Sequence, residues 1–328
     1  MNATFSFAVS AKQANTHLLT CLLPAIPYLQ PAQWQALLSG EQGSISVDGI
    51  IVRDDRLLSV GQVVSYTLND YQEADVDEAW GHIWSNDEIV AVHKPANLPV
   101  NRTTRNVYNT LIQLLRRESP WPDAHLLHRL DLETSGLILI AKNNAVARRY
   151  QSKLDDLIKR KIYRAIVMGK PEWTLNDFTC DLATLEASKG GSAIRSQMHV
   201  VPRGEGKESR TVFRCLATME KQGLKYSLIE CELFTGRKHQ IRAQLAHLGH
   251  AIVGDKIYSN GGELYLKRIA KTVTAEDFEK LLTPHHLLHA YEIHLNNVWD
   301  QERQLKTEAE NIILRDDDFP DSWQGFGF

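Results

Sequence analysis

Hydrophobic positions along this chain follow two regimes that meet near residue 69. In the first, Leu18, Leu19, Leu22 and Leu23 recur at helical spacing, and Pro31 to Leu38 forms a second apolar-faced helix that opens on a proline. Gly43 to Val52 then alternates around Asp48-Gly49, which predicts a hairpin turning at that pair. Asn69 to Ala79, with Asp70, Glu73, Asp75, Asp77 and Glu78, reads as an acidic linker. Beyond Trp80, alternating and continuous apolar runs predict strands at Ile89–His93, Leu137–Ala141, Tyr163–Val167, Thr211–Leu216 and Tyr226–Leu233. Helical spacing predicts helices at Thr110–Glu118, Ala145–Leu157 and Lys238–His247. The expectation is a small α/β domain over 1–68, a linker over 69–80, and an α+β domain with a curved sheet over 81–328. Strand order is not legible from the pattern, and no internal repeat is present.

Composition narrows the class. Hydrophobic content of 43% and charge of 23% suit a folded protein with a sizeable core. No apolar run approaches the roughly 18 residues a membrane helix needs. Met1 to Phe5 carries no basic stretch of a secretory leader. Cys21, Cys180, Cys215 and Cys231 form no Cys-x-x-Cys pair and read as scattered thiols of a reducing compartment, so a cytoplasmic protein is expected. Net charge is −3, yet its distribution is uneven. Lys142 to Arg242 holds 20 Lys and Arg against 11 Asp and Glu, and the remainder 17 against 29. A basic stretch inside an acidic whole suits an RNA groove, although a solvated basic face would look the same.

Candidate chemistry concentrates in His128-Arg129-Leu130-Asp131-Leu132-Glu133-Thr134-Ser135-Gly136. An aspartate on a tight turn ahead of a buried strand is held rigidly, as a nucleophile or acid–base group must be. The same residues also suit a capped turn in which Asp131 or Thr134 satisfies backbone groups. Three further segments bear on the choice. Lys94-Pro95 ends the strand Ile89–His93, and Lys161-Ile162-Tyr163-Arg164-Ala165 opens an alternating run. Thr235-Gly236-Arg237-Lys238-His239-Gln240-Ile241-Arg242 leads into a helix and then into Leu248 to Asp255. In this order the four segments resemble the signature of RluA-type pseudouridine synthases, over about Trp84 to Val298.

That resemblance implies a mixed sheet with flanking helices and a central RNA cleft, and an enzyme that isomerises uridine to pseudouridine in rRNA or tRNA. It makes Asp131 the nucleophile, Arg242 its cationic partner, and Tyr163 the residue stacked on the uracil. A phenol near pKa 10 is a poor base at neutral pH, so stacking is favoured over proton transfer. Arg129 would fill the gap left by the everted base, and Leu288 would wall the base. Lys94, His128, Thr134, Arg237 and His239 would contact RNA. The reaction needs neither cofactor nor metal, so His285, His286 and His289 read as core or RNA-facing, and a monomer is expected. Asn97 stands where the family's Lys-Pro-x-Gly turn has glycine, and asparagine tolerates the left-handed backbone such a turn requires.

Residues 1–68 resemble the small RNA-binding domain named after ribosomal protein S-four, but Lys12 to Leu68 has only Lys12, Arg53 and Arg56 as cations, so little RNA affinity is expected there. Gly190-Gly191-Ser192 reads as part of a mobile loop able to clamp RNA, and the tail from Asp316-Asp317-Asp318 to Phe328 as a solvated acidic run. Two rivals stay open: a non-catalytic RNA-binding protein that keeps the cleft, and an N-glycosidase that releases the base.

Overall fold

A computed structural model describes the chain apart from residues 1, 25–28, 104, 186–193, 195, 271 and 297–311, and apart from the side chains of 269 and 278. The glycine loop expected at 190–192 lies outside the described residues. The chain forms two compact units: 1–76 together with 101–117, and 77–100 together with 118–328.

The first unit contains β1 (Ala3–Ala8), α1 (Leu18–Leu22), α2 (Pro31–Ser39), β2 (Gly43–Val47), β3 (Ile50–Ile51) and β4 (Val63–Leu68), with an antiparallel sheet in the order β1-β4-β2-β3. Trp34, Leu22, Ile45, Val64 and Tyr66 form its core. The hairpin turns at Asp48-Gly49 as expected, both with positive φ (52° and 80°), the backbone of a two-residue turn that matches strand twist. The acidic linker is corrected. Tyr71 is buried and donates to Glu73, whose carboxylate also accepts the N–H groups of Val107, Tyr108 and Asn109 at 2.5–2.8 Å. Three converging backbone donors need an anion, so residues up to Val76 belong to this unit rather than to a spacer. Segment 101–117 adds Arg102, Arg105, Arg116 and Arg117 to a unit that the sequence credited with three cations.

The second unit is built on a mixed sheet. Its strands are β5 (Gly81–Ser85), β6 (Ile89–Lys94), β7 (His125–Leu126), β8 (Ser135–Ala141), β9 (Ile158–Met168), β10 (Leu175–Ala183), β11 (His199–Val201), β12 (Lys207–Lys221), β13 (Leu224–Leu233), β14 (Leu288–Leu295) and β15 (Ile312–Arg315). The order is β11-β10-β12-β13-β9-β14-β8-β6-β5, with β15 on β14 and β7 on β8. Pairing is antiparallel except where β14 runs parallel to β8. Helix α3 (Leu111–Glu118) falls almost wholly in the first unit; α4 (Asn144–Gln151), α5 (Leu154–Leu157), α6 (Gln240–His247), α7 (Glu263–Ala270) and α8 (Ala275–Leu281) belong to the second. The helix expected over Ala145–Leu157 is broken into α4 and α5 at Ser152-Lys153.

One close approach sets the site. Gly136 has φ 107°, and a Cβ there would lie 2.4 Å from the carbonyl oxygen of Ala290 and 2.6 Å from its nitrogen. Glycine alone lets β8 begin this close to β14, and the turn bearing Asp131 opens immediately before it. The tail is also corrected. Asp317 and Asp318 are exposed, but Asp316 is buried against His93 Nδ1 (2.8 Å), and its carbonyl lies 2.9 Å from His289 Nε2. Trp323 and Phe326 join the core of Phe213, Ile229, Ile241 and Leu245. An aromatic pair outweighs two charges in deciding where the segment lies.

Candidate active site

The turn before β8 closes with Thr134 N–H donating to the carbonyl of Asp131 at 3.2 Å. Beneath it lies Lys94, fully buried, with Nζ donating to the carbonyls of Pro95, Leu98 and Leu132 at 2.7, 2.9 and 3.0 Å. Burial lowers this amine to about 7 against the pull of Asp131. Its three donors are consumed, so the expected RNA contact at Lys94 is corrected to a strut under the residue following Asp131. Asn97 supports that strut with φ 61°, the left-handed backbone expected of it. Thr134 is likewise inward, its hydroxyl 2.8 Å from His286 Nε2. His128 accepts the backbone N–H of Leu139 at 3.1 Å, and burial lowers its pKa to about 3, so it is a neutral acceptor serving β8. Thr134 therefore faces the interior, while His128 is half-buried with its Nε2 committed to β8; the capped-turn chemistry is real but surrounds Asp131.

Asp131 itself keeps 28% of its side chain exposed. Arg242, on the buried face of α6, donates Nη1 to Asp131 Oδ2 at 2.7 Å, and Nε and Nη2 to Asp255 at 2.7 and 3.0 Å. Burial pushes Asp131 up, but the Arg242 guanidinium outweighs it and holds the carboxyl at about 2. Asp255 is fully buried and also accepts the N–H groups of Ile257 and Tyr258. His239 caps α6 with φ 53°, its Nε2 3.8 Å from Asp131 Oδ2 and its Nδ1 3.1 Å from the Tyr258 hydroxyl. Burial and Arg242 lower it to about 4, so it faces Asp131 as a neutral ring.

Two residues on, Glu133 is surrounded differently. Its Oε1 accepts Lys256 Nζ and Arg268 Nη1, both at 2.8 Å, and the His286 ring lies 3.6 Å away. Burial raises Glu133, yet His285, Lys256 and His286 overcome it and hold it well below the carboxylate range. Both carboxylates border a cavity of about 200 Å³ lined also by His239, Arg242, Tyr265 and His286.

Residues 88–247 match the family model described as RNA pseudouridylate synthase. An uncharacterized RNA pseudouridine synthase of Synechocystis is 31% identical over 233 residues, 70% of this chain and 75% of its own. The chain belongs to the RNA pseudouridine synthase family. A ribosomal large subunit pseudouridine synthase D of Nitrosomonas europaea is 28% identical, covering 83% of this chain and 76% of that one. The solved structure of human RNA pseudouridylate synthase domain containing 1 superposes with TM-score 0.53 over 75% of this chain and 86% of its own, at 21% identity, and so shares the fold.

In this synthase, an isomerase acting on RNA, the expected trio is only partly in direct contact. Asp131 and Arg242 touch; Tyr163, half-buried on β9, is pushed well up by burial and by the nearby charge of Asp131. Leu288 opens β14 beside Ala165 and is 4% exposed, part of the core that Tyr163 packs against. Arg129 and Arg237 are exposed, and Arg237 Nε donates to the carbonyl of Glu208. Sequence reading assigned no role to Asp255, Glu133, Lys256 and Arg268, and left His286 as core or RNA-facing. Asp255 stood within the stretch that carried the resemblance, and Glu133 fills an unspecified position of the aspartate motif. Lys256 and Arg268 gave no local signal, because what distinguishes them is their pairing with the buried Glu133.

Proposed function

We propose that this synthase isomerises uridines in structured RNA through Asp131 as the nucleophile, with ribosomal RNA the first substrate class and transfer RNA the second. The contact that carries the reading is the 2.7 Å pair between Arg242 Nη1 and Asp131 Oδ2. It keeps a partly exposed carboxylate ionised at the edge of a cavity that a nucleotide would dehydrate. An Asp131 oxygen then gives a lone pair to the ribose C1′, displacing N1, or to C6 of uracil, after which the C1′–N1 bond breaks. The base turns, C5 bonds to C1′ as Asp131 is released as carboxylate, and the C5 proton is lost to water while N1 takes one up. Tyr163, with its phenol held protonated, stacks on the uracil rather than removing the C5 proton. Arg129 occupies the hole left in the RNA, offsetting an eversion that costs a few kcal/mol.

Ribosomal RNA is favoured because the Nitrosomonas relative is named for the ribosomal large subunit. The basic Lys142–Arg242 stretch supplies phosphate contacts, and the enzyme works as a cytoplasmic monomer without cofactor or metal. Residues 1–68 serve as a packing module similar to the S-four domain. The test is pseudouridine mapping in total RNA from cells with the gene, without it, and with Asp131→Asn. Sites absent without the gene and also absent with Asp131→Asn support the reading. Sites that persist with Asp131→Asn defeat it, and free uracil in the product would indicate a glycosidase.

A further inference from the structure

We infer that Asp255 keeps Arg242 paired and in place while Asp131 gives up its charge in the covalent step. This rests on Asp131 being the nucleophile, as proposed above. In the resting site one guanidinium serves two carboxylates through separate N–H groups, Nη1 to Asp131 and Nε with Nη2 to Asp255. The three side chains together carry one excess negative charge. Asp255 is not positioned by Asp131. Its Oδ1 is fixed by the N–H groups of Ile257 and Tyr258, and it follows Gly254, whose φ of 78° and whose Cβ clash with Thr283 (2.3 Å from Oγ1) admit no larger residue. Asp255 is therefore a permanent partner for Arg242 and has no exposed surface from which to react.

The covalent step changes the balance. When an Asp131 oxygen bonds to C1′, the electron pair of the C1′–N1 bond leaves with uracil, and the negative charge moves from the carboxylate to the base. Attack at C6 pushes the C5=C6 pair into the ring and again leaves the charge on the base. In both routes Asp131 becomes a neutral ester. Arg242, only 5% exposed, then loses its charged partner at Nη1. A buried cation without a counterion is strongly destabilising. With Asp255 present, the triad passes from one excess negative charge to neutrality instead of from neutrality to a bare cation. Asp255 is thus a positioning residue whose effect falls on the intermediate more than on the resting enzyme.

Asp131→Asn reproduces the charge state of the ester without RNA, so stability alone tests the inference. Asp131→Asn and Asp255→Asn should each shift the thermal midpoint modestly, because one carboxylate remains. The double variant should lose far more than the sum of the two shifts, including failure to fold where both singles fold. Additive shifts would overturn the inference. If Asp255→Asn alone does not fold, adding Arg242→Met should restore folding by removing the cation; failure of that pair also overturns it.

The second readout is single-turnover tritium release from C5-labelled uridine at saturating RNA, against pH. Asp255→Asn should slow it about a hundredfold or more, with RNA affinity within about threefold of wild type. The pH profile should keep the wild-type shape over roughly pH 5–8, any step from Lys94 near 7 being common to both proteins. The groups facing Asp131 are Arg242, His239, His286, Tyr163, Lys94 and, through Arg242, Asp255. Arg242 remains held by Asp131 in the free variant, so Asp131 should stay ionised across this range. A rate that climbs with pH where wild type does not means that Arg242 has left Asp131, and Asp255 only holds a side chain still. A rate near wild type overturns the inference as well. Retained activity in Asp131→Asn would sink the nucleophile reading, whereas additive stabilities beside an inactive Asp131→Asn sink only the role of Asp255.

Discussion

Asp131 and Glu133 sit two residues apart on one turn, and their surroundings are inverted. Around Asp131 a single cation is shared by two carboxylates; around Glu133 two cations and a pair of histidines converge on one carboxylate. Asp131 keeps 28% of its side chain open, Glu133 9%. The first arrangement leaves negative charge in excess at an accessible position, which a nucleophile requires. The second consumes its carboxylate entirely and ties α7 and the start of β14 to the turn. On the proposal that Asp131 is the nucleophile, residue type does not separate the two carboxylates; the ratio of charges and the access of solvent do.

The largest effect should follow Asp131→Asn. The change is nearly isosteric and Asp255 still neutralises Arg242, so stability should move by only about 1 kcal/mol. Isomerisation should fall by roughly four orders of magnitude or more, read as tritium release. Activity within tenfold of wild type would erase the distinction between the two carboxylates.

Arg242→Met should come next, costing about 3–5 kcal/mol of transition-state stabilisation. Asp131 is depressed to about 2 by Arg242, so in wild type it is ionised throughout the neutral range. Its contribution to stability is present above the unfolded carboxylate pKa near 4 and lost as pH falls through the folded value. Without the guanidinium, burial is unopposed and the folded pKa rises. The variant's single-turnover rate should then show a rise with pH that wild type, whose Asp131 stays ionised, lacks. Lysine should rescue only in part, since it cannot span Asp131 and Asp255 with separate N–H groups. A variant weakened only in RNA affinity, with an unchanged saturated rate and pH profile, would move Arg242 from the chemistry to phosphate binding.

Glu133→Gln should give the opposite pattern, a loss of stability larger than the loss of saturated activity. Removing the charge leaves Lys256 buried beside Arg268 without a counterion, at about 2–4 kcal/mol. Glu133 is also depressed, so wild-type stability gained from it should persist above pH 4–5 and fade as acid protonates the carboxylate. Urea unfolding of wild type and variant against pH checks this: the difference should shrink toward low pH. A Glu133→Gln protein as stable as wild type but catalytically dead would place Glu133 in the chemistry instead.

Legibility in the sequence follows the same division. Strands with a local signature were readable, among them Ile89–His93 and Leu137–Ala141 as segments of β6 and β8. Strand β14 was not, because Leu288 to Leu295 mixes His289, Glu292 and His294 with apolar residues whose burial depends on β8, β9 and β15. Asp131 and Arg242 were legible through the motif, although 111 residues separate them. Lys94 and Thr134 turn inward where RNA contacts were expected, since a motif marks a residue as constrained without saying which side it faces. The grouping of 101–117 with the first unit depends on Glu73 meeting three backbone N–H groups 34 to 36 residues away, which no local pattern encodes.

The smallest predicted effect concerns the support that both carboxylates share. Lys94 holds the carbonyl of Leu132, the residue between Asp131 and Glu133, and Asn97 lets the Lys94–Leu98 turn close at φ 61°. Alanine in that left-handed conformation brings its Cβ against the following carbonyl, at about 1–2 kcal/mol, whereas glycine adopts it freely. Asn97→Ala should therefore lower stability by about 1 kcal/mol, and Asn97→Gly should stay within about 0.5 kcal/mol of wild type, both measured by urea unfolding. Because the turn meets the site through Lys94, which holds the carbonyl of Leu132, neither change should alter the saturated rate or its pH profile. A pH-dependent rate in Asn97→Ala with stability unchanged would mean that the turn tunes Asp131 directly, and the strut would then belong with the reactive carboxylate rather than beneath both.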